Sequence, residues 1–198
     1  MQSKILIITA PSGAGKTSIT RYLMQRFPQL AFSVSAATRT PRKHEKDGVD
    51  YHFMTEADFK KKIDEGAFIE WEMVYEGKYY GTLVSEMDRI WKKNQVPVLD
   101  IDVQGALNVK AKFPGQTLTL FIEPPSLEVL EQRLMQRGTE THSSLTDRIS
   151  KAGYELSFKS QFDKVVMNDN LDKACEEAAA IIDIWMSTAE NAHTSFVK

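Results

Sequence analysis

Eight consecutive residues near the start of the chain have the types and spacing of a phosphate-binding loop. The general pattern is Gly-x-x-x-x-Gly-Lys-Ser/Thr, in which backbone N–H groups surround the phosphates and the lysine adds a positive charge. The first position here is alanine, and the Gly-Lys-Thr end is intact. The pattern predicts that a nucleoside triphosphate binds to the loop and the residue after it, which are Ala10, Pro11, Ser12, Gly13, Ala14, Gly15, Lys16, Thr17 and Ser18.

Two aspartates that follow a predicted strand are candidates for the metal side of this site. Val98 and Leu99 lead into Asp100, and Asp102 lies two residues further on, facing the same way. The carboxyl ends of parallel strands form the usual ligand crevice of α/β folds. We therefore expect the Thr17 hydroxyl and Asp100 to hold Mg²⁺, largely through water. A pair of exposed acids at a strand end is the alternative.

Arginines at three further places are candidates for binding anions. Arg39 and Arg42 lie on one proline-stiffened turn, and two guanidinium groups suit a phosphate because arginine binds it bidentately. Arg133 and Arg137 are four residues apart and share one face of a predicted helix, and Arg148 follows on the next helix. The alternatives are two solvated arginines on a loop and a solvated basic helix face.

Apolar runs alternate with helical patterns along most of the chain, which predicts an α/β fold with a doubly wound parallel sheet. The strands are predicted at Ile5–Ile8, Val96–Ile101, Leu118–Ile122 and Lys164–Met167. The helices are predicted at Thr17–Arg26, Gln104–Lys112, Leu127–Arg137 and Asp172–Thr188.

Two stretches interrupt this alternation. Residues 34–90 contain short polar strands and one small helix from Glu56 to Glu65, which Thr55 caps. Residues 126–160 form a charged helical pair. We interpret both stretches as insertions on a core that consists of residues 1–33, 91–125 and 161–198.

The composition excludes several classes of partner. The 198 residues carry a net charge of −2, so there is no basic field that would gather nucleic acid or an anionic membrane. No apolar run reaches the roughly 20 residues that span a bilayer. The single cysteine, Cys175, cannot form an internal disulfide, and no signal-peptide pattern is present. These features favour the cytoplasm and leave open whether the protein is a monomer or a homodimer.

Several runs resemble the guanylate kinase family, and the resemblance extends nearly from end to end. The runs are Ser33-Val34-Ser35, Thr38-Arg39-Thr40-Pro41-Arg42, Asp47-Gly48-Val49-Asp50-Tyr51-His52-Phe53, Phe68-Ile69-Glu70-Trp71, Tyr79-Tyr80-Gly81-Thr82, Leu99-Asp100-Ile101-Asp102-Val103-Gln104-Gly105 and Arg137-Gly138-Thr139-Glu140-Thr141. The resemblance implies a P-loop kinase core, a mixed α+β insertion that binds GMP, and a helical lid over ATP.

The resemblance also implies roles for particular residues. Ser35, Glu70, Thr82 and Asp102 would read the guanine base, and Arg39, Arg42, Tyr51 and Tyr80 would hold the GMP phosphate, with Glu45 and Asp100 completing the acceptor site. ATP binding would extend to Arg133, Arg137 and Asn168, and the catalytic residues would be Lys16, Arg39, Arg137 and Arg148. The reaction implied is MgATP + GMP to MgADP + GDP, with dGMP as a second acceptor.

The sequence departs from the family pattern at a few positions, none of which removes a charged phosphate ligand. They are Ala10 for glycine, Ala37 for threonine, His44 for glycine, Thr82 for serine and Asn170 for aspartate. Two other functions are considered: a kinase for another nucleoside monophosphate, and an inactive guanylate-kinase-like module that binds proteins. Glu70 with Asp102 argues against the first, and the intact Gly15, Lys16 and Thr17 argue against the second.

Substituting the unusual first residue of the loop tests how much the loop depends on it. We expect Ala10→Gly to change KM for ATP only modestly, because the N–H groups nearest the phosphates come later in the loop. Steady-state kinetics with varied ATP measures this. A loss of about an order of magnitude in apparent affinity would show that the loop has adapted around alanine.

Overall fold

The structure is a computed structural model that describes residues 4–136 and 142–194. Its strands are β1 (Ile5–Thr9), β2 (Leu30–Phe32), β3 (Ala36–Ala37), β4 (His52–Phe53), β5 (Phe68–Tyr75), β6 (Lys78–Leu83), β7 (Val96–Asp100), β8 (Thr117–Glu123) and β9 (Lys164–Met167). Its helices are α1 (Lys16–Arg26), α2 (Glu56–Asp64), α3 (Val84–Trp91), α4 (Val103–Lys112), α5 (Leu127–Gln136), α6 (His142–Leu156) and α7 (Leu171–Thr194).

The larger sheet has five strands in the order β2-β7-β1-β8-β9. Every residue of β1 is buried, as is the middle of β7 and of β8. Such continuous burial is typical of parallel strands that are covered on both faces. β2 runs parallel to β7, with Leu30 opposite Val96, and β8 runs parallel to β9, with Leu120 opposite Lys164. The predicted α/β fold with a parallel sheet is confirmed.

The smaller sheet has the order β4-β3-β6-β5 and rests on its own apolar cluster. β5 and β6 form an antiparallel hairpin, whereas β3 and β4 are parallel. Phe59 of α2 packs beneath this sheet and stacks on Phe68, with ring centroids 4.3 Å apart. The helix begins where it was predicted, because the Thr55 hydroxyl accepts a hydrogen bond from the Asp58 N–H (3.1 Å).

The chain forms two compact units. The first contains the residues up to Ile7 and Gln29–Thr117, and therefore includes the smaller sheet with α2, α3 and α4. The second contains Ile8–Pro28 and the described residues from Leu118 onward. Within the second unit α1 packs against α7, and the Tyr22 hydroxyl donates to Glu176 (2.5 Å). The limits proposed above for the core and the two insertions stay predictions.

In the part of the chain that the structure describes, the ends of the predicted strands and helices are confirmed to within one residue, except that α7 continues to Thr194, six residues beyond its predicted end. One strand and one α-helix were missed. Strand β2 spans only three residues, too few to show a period in the sequence. Helix α3 shows that the prediction of a single helix in residues 34–90 was wrong. Its eight residues bury Glu86 together with Met87 and Ile90, and that acidic residue interrupts the apolar pattern.

The helices in the described part of the chain were also compared with the length and hydropathy that a membrane span requires. None of them is long and apolar enough to cross a bilayer.

Candidate functional site

The phosphate loop belongs to the second unit, and two glycines determine its shape. Gly13 and Gly15 have φ angles of +97° and +102°, a region in which residues with a side chain are strained. Gly15 is also the N-cap of α1, and its carbonyl accepts from the N–H groups of Ser18 (3.1 Å) and Ile19 (3.2 Å). The first N–H groups of a helix lack partners within the helix and attract anions. The loop therefore has the geometry that a phosphate site needs.

Asn168, which follows β9, is hydrogen-bonded to the backbone of the loop. Its side-chain Nδ2 donates to the Ala14 carbonyl (2.7 Å), and its own carbonyl accepts from Arg133 Nη2 (2.9 Å). A Cβ on Gly15 would lie 2.1 Å from Asn168 Nδ2, so this position has no room for a side chain. The Asn168 Oδ1 atom is buried and makes no hydrogen bond in the described residues. Asn168 thus joins the loop to α5 through its amide nitrogen and its backbone carbonyl.

A cleft of about 460 Å³ lies beside the loop, within the range of small-molecule sites. It is lined by Gly13, Gly15, Ser18, Arg133, Gln136, Asn168, Asp169 and Leu171. The predicted lid residue Arg148 also reaches the loop, because its Nη1 donates to the Ser12 hydroxyl (2.6 Å). The structure thus brings most of the predicted ATP-binding residues of this unit to one place. Arg137 lies outside the described residues.

The first unit contains an arginine–glutamate pair at the predicted acceptor site. Arg39 Nη1 and Nη2 donate to the two carboxylate oxygens of Glu45 (2.6 and 2.7 Å), and the Arg42 N–H donates to Glu45 Oε2 (2.8 Å). The Arg39 guanidinium carbon also lies 4.8 Å from the ring centre of Tyr51. The ring centres of Tyr51 and Tyr80 are 6.0 Å apart. Five predicted acceptor residues therefore form one cluster.

The charges in this cluster hold each other in their ionised forms. The hydrogen bonds from Arg39 outweigh burial and lower the pKa of Glu45 to about 2. The same hydrogen bonds raise the pKa of Arg39. The side chain of Arg39 is mostly enclosed, whereas that of Arg42 is 65% exposed. Glu45 therefore fixes the Arg39 guanidinium in place, whereas the Arg42 side chain lies largely in water.

A buried carboxylate and a buried hydroxyl form a second group in the first unit. Glu70 on β5 pairs directly with Thr82 on β6, and the Thr82 hydroxyl donates to Glu70 Oε1 (2.6 Å). Glu70 is only 5% exposed and Thr82 is fully buried. Burial raises the pKa of Glu70 to about 7, and the charge of Asp102 adds to this, although the Thr82 hydrogen bond opposes it. Thr82, which the resemblance assigns to the base, donates its hydroxyl hydrogen to Glu70 in this structure.

The remaining predicted acceptor residues lie at the ends of strands in the first unit. Asp102 follows β7 and caps α4, since its Oδ1 accepts from the Gly105 N–H (2.8 Å). Asp100 is the last residue of β7 and is half-buried. Ser35 precedes β3, and its carbonyl accepts from the His52 N–H (2.9 Å). These hydrogen bonds hold the Asp102 side chain and the Ser35 backbone in place.

Comparison with known proteins determines the family. A sequence model described as guanylate kinase matches residues 2–184. The chain belongs to the guanylate kinase family. A guanylate kinase from Salinibacter ruber is 47% identical over 184 residues, which are 93% of this chain and 97% of that protein. A guanylate kinase from Chlorobium chlorochromatii is 46% identical over 179 residues, covering 90% and 94%.

Solved structures place the fold in the same family. The crystal structure of a guanylate kinase from Anaplasma phagocytophilum superposes with a TM-score of 0.74 at 26% sequence identity. The match covers 92% of this chain and 85% of that one. The guanylate kinase family assignment therefore holds for both the sequence and the fold.

Sequence reasoning missed one residue, Glu86, which holds the backbone next to Ser35. Glu86 of α3 is 6% exposed and accepts from the Val34 N–H (3.1 Å), next to Ser35. Arg89 donates to the same carboxylate through Nε (2.9 Å) and Nη2 (2.7 Å), and His52 Nε2 lies 3.5 Å away. Burial raises the pKa of Glu86, but these hydrogen bonds outweigh it, so the pKa lies below the usual value. Only an acidic residue at a buried helical position signals this in the sequence.

Removing the Glu86 carboxylate tests whether its hydrogen bond from the Val34 N–H stabilises the fold. We expect Glu86→Ala to lower the free energy of unfolding by about 1–3 kcal/mol, because it leaves the buried Val34 N–H without its acceptor. Urea denaturation followed by circular dichroism measures the change. Glu177→Ala, at an exposed position of α7, is the control and should stay within about 0.5 kcal/mol of wild type. Equal effects of the two substitutions would contradict the assigned role.

Proposed function

We propose that this protein transfers the γ-phosphoryl group of ATP to GMP, giving ADP and GDP, and that dGMP is a second acceptor. The observation that carries the proposal is the buried Glu70 carboxylate beside Thr82. A carboxylate that is removed from water requires hydrogen-bond donors, and the Thr82 hydroxyl donates to its Oε1 atom. The edge of guanine, with its N1–H and 2-amino groups, presents the two further donors that a carboxylate can accept.

This arrangement would reject adenine nucleotides as acceptors. Adenine has neither the N1 proton nor the 2-amino group, so it would leave Glu70 buried without its donors. A site built on hydrogen bonds can discriminate in this way by roughly 10⁴–10⁵. Ser35 and Asp102 are proposed as further contacts to the base, and Arg39, Arg42, Tyr51 and Tyr80 as contacts to the acceptor phosphate.

The donor nucleotide is proposed to bind in the second unit. The N–H groups of the loop and Lys16 would hold the β- and γ-phosphates, and Arg133 and Arg148 would add positive charge. Asn168 Oδ1, which is buried and lacks a partner in the described residues, would accept a hydrogen bond from the amino group of adenine. Arg137 is proposed to act with them as a lid residue.

Magnesium is proposed to bind with the nucleotide. The Thr17 hydroxyl and the Asp100 carboxylate are both oxygen donors, and Mg²⁺ usually keeps several waters while it contacts one or two protein oxygens and the phosphates. The donor set therefore fits this ion. Magnesium would neutralise charge on the transferring phosphoryl group.

The chemical step needs no residue that abstracts a proton. An oxygen of the GMP phosphate attacks the γ-phosphorus, the bond from that phosphorus to the β-γ bridging oxygen breaks, and ADP leaves with the electron pair. The attacking phosphate is already largely ionised at neutral pH, since its second pKa is about 6. Lys16, Arg39 and Arg148 would contribute by aligning the two phosphates and by balancing their charge.

We further propose that the protein works in the cytoplasm, in purine nucleotide metabolism, without nucleic acid or membrane as a partner. The lone cysteine, Cys175, is buried and free, which suits a reducing compartment. The net charge of −2 provides no attraction for polyanions.

The role of the loop lysine is tested by removing its charge. We expect Lys16→Ala to reduce kcat below about a tenth of the wild-type value while the melting temperature stays unchanged, because the charge acts on the transferring phosphate. A coupled assay of ADP formation from ATP and GMP measures this. Lys61→Ala removes a well-exposed lysine of α2 and should keep full activity. Wild-type kcat in the Lys16 variant would refute the role.

The acidity of Glu70 predicts a pH dependence of GMP binding. The carboxylate must be ionised to accept from the base, and its pKa is raised to about 7, so KM for GMP should rise as the pH falls below 7. The rise approaches about tenfold per pH unit well below the pKa. In the protein alone the stabilising contribution of Glu70 is fully present below pH 4.5 and is lost as the pH rises through about 7.

Replacing Glu70 with glutamine separates this titration from that of the GMP phosphate, which ionises near pH 6. Glu70→Gln should raise KM for GMP far more than KM for ATP, and its KM for GMP should follow the phosphate alone. Initial rates between pH 6 and pH 8 give both constants. Equal losses for the two nucleotides would count against base recognition by Glu70.

A further inference from the structure

Gly105 occupies a position in α4 where a glycine is unfavourable for the helix itself. It lies in the first turn, after the Asp102 cap, and it is buried. Its backbone does not adopt a positive φ, so the conformational freedom of glycine is not what this position needs. Glycine is the poorest helix former apart from proline. A reason other than the helix must account for it.

The surroundings of Gly105 supply that reason. A Cβ at this position would lie 2.8 Å from Glu70 Oε2 and 3.3 Å from Glu70 Cδ. The Asp102 Oδ1 atom would be 3.2 Å away. Real Cβ atoms essentially never lie within 3.0 Å of such a neighbour, so an alanine would require the Glu70 carboxylate to move.

Glu70 has little freedom to move. Its other oxygen, Oε1, holds the Thr82 hydrogen bond (2.6 Å), and only 5% of the residue is exposed. Its backbone is fixed by the pairing of β5 with β6. Displacing the carboxylate would therefore break the Thr82 hydrogen bond or turn Oε2 away from its present direction.

We propose that Gly105 is a positioning residue for guanine recognition, because its missing side chain leaves the space in which the Glu70 carboxylate is held. This inference rests on the proposed function, since it assigns Glu70 to the base. An alanine at this position would increase the intrinsic helix propensity of α4. It would also displace the Glu70 carboxylate and so impair recognition of the acceptor.

A second helical glycine provides a matched control. Gly153, in the last turn of α6, has nothing within 4 Å of an added Cβ and no positive φ. Gly153→Ala should raise the melting temperature by about 2–4 °C, the usual gain for replacing a helical glycine in a chain of this size. KM for GMP should stay within about twofold of wild type.

Kinetics with Gly105→Ala tests the proposal directly. We expect KM for GMP to rise by about tenfold to a hundredfold, the effect of misplacing a binding group by about 1 Å, while KM for ATP stays within about twofold. Inosine monophosphate, which lacks the 2-amino group, is the specificity probe. The preference for GMP over this analogue should fall in Gly105→Ala. An unchanged KM for GMP, or equal losses for GMP and ATP, would overturn the proposal.

A double-mutant cycle shows whether the effect passes through Glu70. Glu70→Ala removes the side chain that an alanine at position 105 would strike. In this background Gly105→Ala should change KM for GMP by less than about twofold, because two substitutions that act through one contact are not additive. It should now also raise the melting temperature by about 2–4 °C. A full additional loss of GMP affinity would show that the obstruction lies elsewhere and would refute the role of Glu70.

The melting temperatures keep the test independent of activity. If Gly105→Ala alone does not fold, the double variant must fold for the proposal to stand, and an unfolded double variant would refute it. If wild-type protein fails to phosphorylate GMP, the proposed function fails. The contact with Glu70 is then still supported when Gly105→Ala is more stabilising in the Glu70→Ala background, and it is rejected when the change is the same in both backgrounds.

Discussion

Removing a carboxylate from water costs free energy unless hydrogen-bond donors replace the lost hydration. This constraint governs the part of the first unit that surrounds Glu70. Glu70 is held by the pairing of β5 with β6, which places the Thr82 hydroxyl directly opposite it. The start of α4 closes over its second oxygen without a side chain at Gly105. Burial outweighs the hydrogen bonds from Thr82, so the pKa of Glu70 stays above its usual value. A ligand with two donors on one edge would supply further hydrogen bonds to this carboxylate.

A similar requirement organises the second unit, where the buried groups are backbone atoms. The loop between β1 and α1 turns through two left-handed glycines and leaves its Ala14 carbonyl pointing inward. Asn168 satisfies that carbonyl and at the same time binds Arg133 of α5. One asparagine thus fixes the loop and connects it to α5, the first helix of the predicted lid.

The elements that follow from local chemistry were predictable from the sequence. The apolar run of β1, the glycines after it and the Thr55 cap of α2 each have a signal within a few residues, and the structure confirms them. Helix α3 was missed because its buried face includes the charged Glu86, whose partners Val34, His52 and Arg89 come together only in the folded chain. The donation from Thr82 to Glu70 depends in the same way on strand register, which no local pattern specifies.

The pairing of Arg39 with Glu45 has a consequence for turnover. Arg39, Arg42 and Glu45 together carry one net positive charge, so a phosphate dianion that bound at the proposed site would meet only a modest attraction. Because Glu45 already immobilises the Arg39 guanidinium, much of the side-chain entropy, about 2 kcal/mol for an arginine, is lost on folding rather than on binding. An enzyme that must release a more highly charged product than the substrate it captured would gain from such a balance, because the cluster would orient a bound anion without holding it strongly.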